Sequence, residues 1–228
     1  MSSSILKLLA LIFMIIDHIG VYFIKNPELN TIFRTFGRMS APLFFFVFTI
    51  GFIHTTNREK YKQRLFVSAL IMEIGKILLK LTMGITITAN ILFTLWLGFL
   101  FLENIENYKK EKAKSTIVLI ILTIMFYYAE YSYLALLCII AFYFYNKSLQ
   151  NYNKSKCDMF LLLVYALISI IYPAIKNIPT QAFMILSIIP IIYYNRKKGY
   201  NNKIIKNFYY IFYIVHIWIF AILEQILL

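Results

Sequence analysis

Apolar residues in this chain come in long continuous runs, with neither strict alternation nor a single amphipathic stripe. Nine runs stand out: Ile5–Ile24, Thr31–His54, Leu65–Leu81, Ile85–Leu102, Thr116–Ala129, Tyr131–Tyr145, Met159–Pro173, Thr180–Tyr194 and Phe208–Leu228. Short polar connectors separate them. A membrane-crossing helix needs about 20 mainly apolar residues, and long runs without period-two alternation predict helix over strand. The expected fold is all-α: a polytopic transmembrane helix bundle of about nine spans. The fifth and sixth runs are each near 15 residues and meet at Ala129-Glu130. They are read either as two crossings or as a re-entrant hairpin buried by protein. The eighth run is also short, with Pro179 at its start and Pro190 inside.

Composition strengthens this picture. Of 228 residues, 61% are hydrophobic and 18% aromatic, and the mean hydropathy is +0.73. Soluble domains are roughly 45–50% apolar. No polar stretch is long enough for a separate soluble domain, so residues 1–228 read as one integral membrane domain.

Charge then sets the orientation. The net charge is +13, but the basic residues cluster between apolar runs. Sixteen lie in the connectors after the second, fourth, sixth and eighth runs, among them Arg58, Arg64, Lys110, Lys147, Lys154, Arg196 and Lys206. The opposite side holds only Lys25, Lys80 and Lys176. Basic connectors stay cytoplasmic, which puts the N-terminus inside and the C-terminus outside. This distribution serves a lipid bilayer and argues against nucleic acid. Cys138 and Cys157 have no metal-ligand spacing, so neither a metal site nor a disulfide framework is expected.

Several ionisable residues fall inside the runs. Such residues cost about 2.5–3.5 kcal/mol at the bilayer centre, face the protein interior and mark functional positions. At the helical rise, Asp17 and His18 sit roughly 18–20 Å from the cytoplasmic end, Arg38 about 24 Å, and Glu73, Lys76 and His216 about 12–17 Å. Adjacent residues on a helix do not face one another, so Asp17 and His18 address different neighbours. Asp17 is expected to pair with Arg38, and Glu73 with Lys76. Each pair also has a purely structural reading, as does a hydrogen-bonded core histidine at 18 or 216.

The chain resembles the TraX family of bacterial membrane proteins. The resemblance runs through Leu6-Lys7-Leu8-Leu9-Ala10, Ile16-Asp17-His18-Ile19-Gly20, Gly37-Arg38, Ala41-Pro42-Leu43-Phe44, Gly51-Phe52, His54-Thr55, Asn57, Tyr61 and Arg64-Leu65. It continues through Asn90–Leu95 with Gly98, and Tyr210-Ile211-Phe212-Tyr213 with His216. Ile50 stands where the family commonly has Glu, and Ser132 where its acidic-aromatic turn has Gly. The resemblance implies an enzyme of the bacterial cytoplasmic membrane, related to membrane acyltransferase bundles. It would move acetyl from acetyl-CoA to the N-terminal amine of a small exported peptide or pilin-like subunit.

On that reading His18 is the general base, since a neutral imidazole suits proton abstraction near neutral pH, with the acyl group carried on His18 itself as the alternative. Asp17 and His216 hold or complete the site, and Arg38 stabilises oxyanion charge. His54, Arg58 and Arg64 meet the donor's phosphates, with Tyr61 and Asn90 beside them. Two other classes compete. Buried charges also line proton-coupled transporters or exporters, and a non-catalytic immunity or scaffold module would share the composition.

Overall fold

The computed structural model describes residues 1–200 and 202–227. Asn201 and Leu228, the last residue of the ninth run, lie outside the described residues, as does the side chain of Lys203. Among the described residues the fold is all-helical. Helix α1 covers Ser3–Phe23, α2 Pro27–Gly37, α3 Ser40–His54, α4 Arg58–Met83 and α5 Ile91–Asn107. Then come α6 Lys112–Phe126, α7 Ser132–Ser148, α8 Lys154–Lys176, a 3-10 helix Pro179–Ser187 that continues as α9 Ile188–Ile192, and α10 Lys203–Leu227.

Asparagine marks many of the helix starts. A side-chain oxygen at the N-cap accepts a backbone N–H that the helix itself leaves unpaired. Asn26 does this for Leu29 N at 3.0 Å, Asn57 for Lys60 N at 2.8 Å, Asn90 for Phe93 N at 3.1 Å and Asn153 for Ser155 N at 3.1 Å. These caps move some expected boundaries. The fourth run starts at Ile85, but α5 starts at Ile91, because Gly84 ends α4 in the left-handed region (φ +72°) and the chain stays non-helical up to the Asn90 cap. The second run breaks at Arg38-Met39 into α2 and α3.

The eighth run gains length by winding tightly. A 3-10 helix rises about 2.0 Å per residue, so its nine residues cover roughly 18 Å where an α-helix would cover about 13 Å.

Helix α3 is the centre of the molecule. Its sequence is apolar on every face, which is the signature of a buried helix. Phe45, Phe46 and Phe52 are fully buried in it. Phe46 meets Phe142 of α7 edge-to-face at 5.5 Å, and Phe52 meets Phe99 of α5 at 4.9 Å. The surrounding helices expose large apolar side chains: Leu8 and Ile12 on α1, Ile117 and Ile124 on α6, Leu163 and Ile170 on α8. Apolar belts of that extent face lipid, not water. Among the described residues four stretches are long and apolar enough to cross a membrane: Ser3–Phe23, Pro27–His54, Lys154–Lys176 and Ile204–Leu227. Length and apolarity alone therefore support four crossings, fewer than the nine expected. Helices α5, α6 and α7 have only 17, 15 and 17 residues, and α4 is strongly charged.

The connectors sort to two ends. At one end Lys147 binds Glu106 at 2.8 Å and Arg58 binds its other oxygen. There too Lys154 donates to the Ile192 carbonyl at 2.7 Å, and Ser3 N to the Lys197 carbonyl at 2.9 Å. The N-terminus and the four basic connectors thus share one end. At the other, Asn30 donates to the Gly20 carbonyl at 2.6 Å and Gln225 to the Met83 carbonyl at 2.9 Å.

Candidate functional site

Two cavities lie along the bundle, one behind the other. The larger holds about 460 Å³ and opens at the basic end, within the ~300–1,000 Å³ of small-molecule sites. Lys7, His54, Arg64, Arg196, Lys198 and Lys206 line its mouth, and Phe44, Phe48, Leu92 and Leu95 line it further in. Among the described residues no carboxylate lines it. Among the described residues none of these six basic side chains stands within ion-pair distance of a carboxylate. Tyr61 packs against Gly51 at the wall, where a Cβ on residue 51 would come within 3.0 Å of its hydroxyl. Ile50 also faces this cavity.

The smaller cavity, about 20 Å³, is lined by Asp17, His18, Ser40, Glu130 and Tyr131 among others. That is room for about one water molecule. Phe44, Ile91 and Tyr213 line both cavities and form the wall between them.

His18 has a defined partner. Its Nδ1 lies 2.8 Å from His216 Nε2, and His216 Nδ1 lies 2.7 Å from the Phe212 carbonyl. A carbonyl only accepts, so His216 Nδ1 carries the hydrogen and donates it. With both rings neutral, His216 Nε2 is then an acceptor, and His18 Nδ1 donates to it. Among the described residues the lone pair of His18 Nε2 is left bare. Phe212 stacks on the far side of His216 at 5.0 Å and fixes that ring.

Asp17 addresses α2, as helix geometry requires: Arg34 lies closest, at 2.8 Å from Oδ2, and the expected Arg38 stands at the edge of ion-pair distance, 4.0 Å from Oδ1. Arg34 and Arg38 share a face of the helical turn, and Arg34 alone hydrogen-bonds the carboxylate. Arg38, at the break between α2 and α3, donates instead to Gln181 Oε1 of the 3-10 helix at 3.2 Å. Contact between α1 and α2 depends on Gly37, because a Cβ there would sit 2.2 Å from Asp17 Oδ1. That oxygen is buried and has no hydrogen-bond partner.

The residues expected from sequence therefore separate into groups. Asp17 and His18 face the small cavity with His216 behind His18, while His54, Tyr61 and Arg64 face the large one. Arg38, Arg58 and Asn90 border neither cavity. Arg58 is held by Glu106 and lies over the Phe52 ring. Asn90 caps α5 and donates to Glu73 Oε1 at 2.7 Å, beside the Glu73–Lys76 pair at 2.9 Å.

Sequence reasoning missed Lys7, Arg196, Lys198 and Lys206 as cavity residues because each reads as an ordinary topology-setting charge. It names Glu130 only as part of a family turn and Tyr213 only within the motif of the last helix, and assigns neither to the site. Glu130 carried a signal: a lone acid at the tip of two short apolar runs. Its turn holds Tyr131 and Ser132 at φ +62° and +47°, a left-handed conformation that non-glycine residues rarely adopt.

The family model described as "TraX protein" matches residues 2–224. An uncharacterized protein of Rickettsia prowazekii (strain Madrid E) is 36% identical over 104 residues, 46% of this chain. The matched stretch spans 38% of that relative's own length. No solved structure matches.

Proposed function

This chain belongs to the TraX family, and from that premise and the paired cavities we propose that it is a membrane-embedded acyltransferase. It transfers acetyl from acetyl-CoA to the N-terminal amine of a small exported peptide or pilin-like subunit. The observation that carries this is the meeting of a carboxylate-free basic cavity with a small polar cavity holding His18, across the single wall of Phe44, Ile91 and Tyr213.

The residues fit such a donor. Unpaired cations at the mouth attract phosphates, with Arg64 and Arg196 able to grip them in bidentate fashion. Past the mouth the walls turn apolar, which suits an uncharged arm ending in a thioester. His18 Nε2, kept unprotonated by the hydrogen bond at Nδ1, takes a proton from the acceptor amine as it attacks the acyl carbon. A C–N bond forms and the C–S bond breaks. The same proton then passes from His18 to the leaving thiolate. His216 is a positioning residue, because it borders neither cavity and acts by fixing the His18 tautomer. Asp17, tied to Arg34, supplies fixed negative charge beside the base.

The proposed setting is the bacterial cytoplasmic membrane. The basic end and N-terminus face the cytoplasm, all nine runs belong to one integral membrane domain, and the donor enters from inside.

Binding of acetyl-CoA to the purified full-length protein in nanodiscs tests this reading. It should weaken at least tenfold in Arg64→Ala/Lys198→Ala and fall steeply with salt. Acetyl-pantetheine, which lacks the charged end, should bind poorly and without salt dependence. Equal binding of the two thioesters, or none, contradicts the donor site and favours a transporter or non-catalytic role.

A further inference from the structure

Glu130 is a carboxylate that the mechanism above leaves unused, and its surroundings are unusual. It sits at the tip of the α6–α7 hairpin and borders the cavity that also holds Asp17 and His18. Its one side-chain hydrogen bond among the described residues is long, from the Tyr213 hydroxyl at 3.4 Å. That hydroxyl is itself oriented by the Ile91 N–H at 2.9 Å. The main chain is pinned as well, since Thr94 Oγ1 donates to the Glu130 carbonyl at 3.0 Å. The next two residues hold left-handed backbone without being glycine, a conformation that L side chains disfavour. A turn of this kind persists where the surrounding structure fixes it.

Across the cavity, Asp17 is 6% exposed and its Oδ1 has no hydrogen-bond partner. The contrast between the carboxylates matters. Asp17 is neutralised by Arg34, whereas no cation stands within ion-pair distance of Glu130 among the described residues. A small polar cavity with one uncompensated carboxylate, one carboxylate oxygen that accepts no hydrogen bond among the described residues and a bare imidazole nitrogen is built for a compact cation that donates hydrogen bonds.

We infer that Glu130 receives the ammonium form of the acceptor amine and takes its first proton. The inference rests on the acyltransferase reading and deepens it. An amine arrives at neutral pH as R–NH3+, which has no lone pair and cannot attack. Glu130 accepts one proton, leaving R–NH2 and a neutral carboxyl. The amine nitrogen then attacks the acyl carbon, and its second proton goes to His18 Nε2. The C–S bond breaks and the thiolate takes that proton from His18. Glu130 releases its proton to water, so the turnover yields the amide, a free thiol and one proton. Two protons leave the nitrogen, and the site offers one acceptor for each. A hydroxyl acceptor has only one proton to lose and does not need Glu130.

The test uses full-length protein in nanodiscs with acetyl-CoA and two probes: a tetrapeptide with a free α-amine and its counterpart with an α-hydroxyl. The expected result is that wild type acetylates the amine peptide. Glu130→Gln should raise the KM for that peptide at least tenfold and shift its rate profile to higher pH, where the amine is already neutral. The KM for acetyl-CoA should not change. Glu130→Asp should restore part of the loss, and Tyr213→Phe should show a smaller defect of the same kind, about two- to fivefold. An unchanged peptide KM and pH profile in Glu130→Gln overturns the inference, as does wild-type transfer to the hydroxyl peptide alone or to neither. Acetyl-CoA binding, followed by thermal shift, separates the failures. Binding without amine transfer removes the Glu130 role and leaves the donor site standing, while loss of both removes the acyltransferase reading as well.

Discussion

Two histidines 198 positions apart in the chain make one hydrogen bond, and the behaviour of the site follows from which nitrogen holds the proton. If His216 works only through the His18 tautomer, His216→Phe should preserve the stack against Phe212 yet lower kcat by about 10- to 100-fold. KM for acetyl-CoA should stay the same. His216→Gln should recover part of the rate, since an amide oxygen can accept from His18 Nδ1. A steady-state comparison of the three proteins checks this. Two backbone positions give stability predictions. Gly37→Ala drives a methyl group into Asp17 and should destabilise by about 1–3 kcal/mol, as overpacking does. Ser132→Gly relieves a left-handed serine (φ +47°) and should stabilise by up to about 1 kcal/mol. Melting in detergent reads both. Sequence identified Asp17, His18 and His216 through the rarity of charge inside an apolar run. It pairs Asp17 with Arg38, which stands at 4.0 Å, but not with the closer Arg34, because depth along a helix is easily counted, whereas the break at Arg38-Met39 that turns that side chain toward Gln181 is not.

Among the elements, the α6–α7 hairpin and the ends of α5 carry most of the unexpected structure. Residues 112–126 and 132–148 make two short helices whose shared tip reaches the level of His18, and this is why the fifth and sixth runs looked too short. Asn90 matches a family motif that suggests a donor contact; it lies outside both cavities, where it caps α5 and ties to Glu73. The spacing of Asn26, Asn57, Asn90 and Asn153 just before apolar or charged helical starts was a readable capping signal. At the other end of α5, Glu106 binds Arg58, Lys147 and the Tyr143 hydroxyl, joining three connectors. Partial burial alone would raise its carboxyl, but the hydrogen bonds from Arg58, Lys147 and Tyr143 outweigh burial and hold it down at about 2. A depressed carboxyl stabilises the fold above its ordinary value of 4.5 and loses that contribution as pH falls toward 2. Glu106→Gln should therefore melt below wild type at pH 7, and the gap should close progressively between about pH 4.5 and pH 2. A constant gap across that window contradicts the assignment.

For the molecule as a whole, the all-helical class and the sorting of connectors were legible from apolar runs and lysine clusters, because lipid and membrane charge act on the sequence directly. The cavities were not legible, since they arise where α1, α3, α4, α5 and α10 converge, and no local pattern encodes that convergence. Orientation is testable by itself. In a Cys138→Ser/Cys157→Ser background, a cysteine at Asn151 should resist an impermeant maleimide in intact cells, and one at Met83 should react; the reverse pattern inverts the topology.

The central claim is that a donor held in the basic cavity is used by His18 in the smaller one. Its most direct measurement is acetyl-CoA binding and acetyl transfer to a free-amine peptide, made side by side on wild type and His18→Ala. The account predicts equal acetyl-CoA affinity in both proteins, with transfer in the wild type and at least a hundredfold loss in His18→Ala. Undiminished transfer by His18→Ala would contradict it.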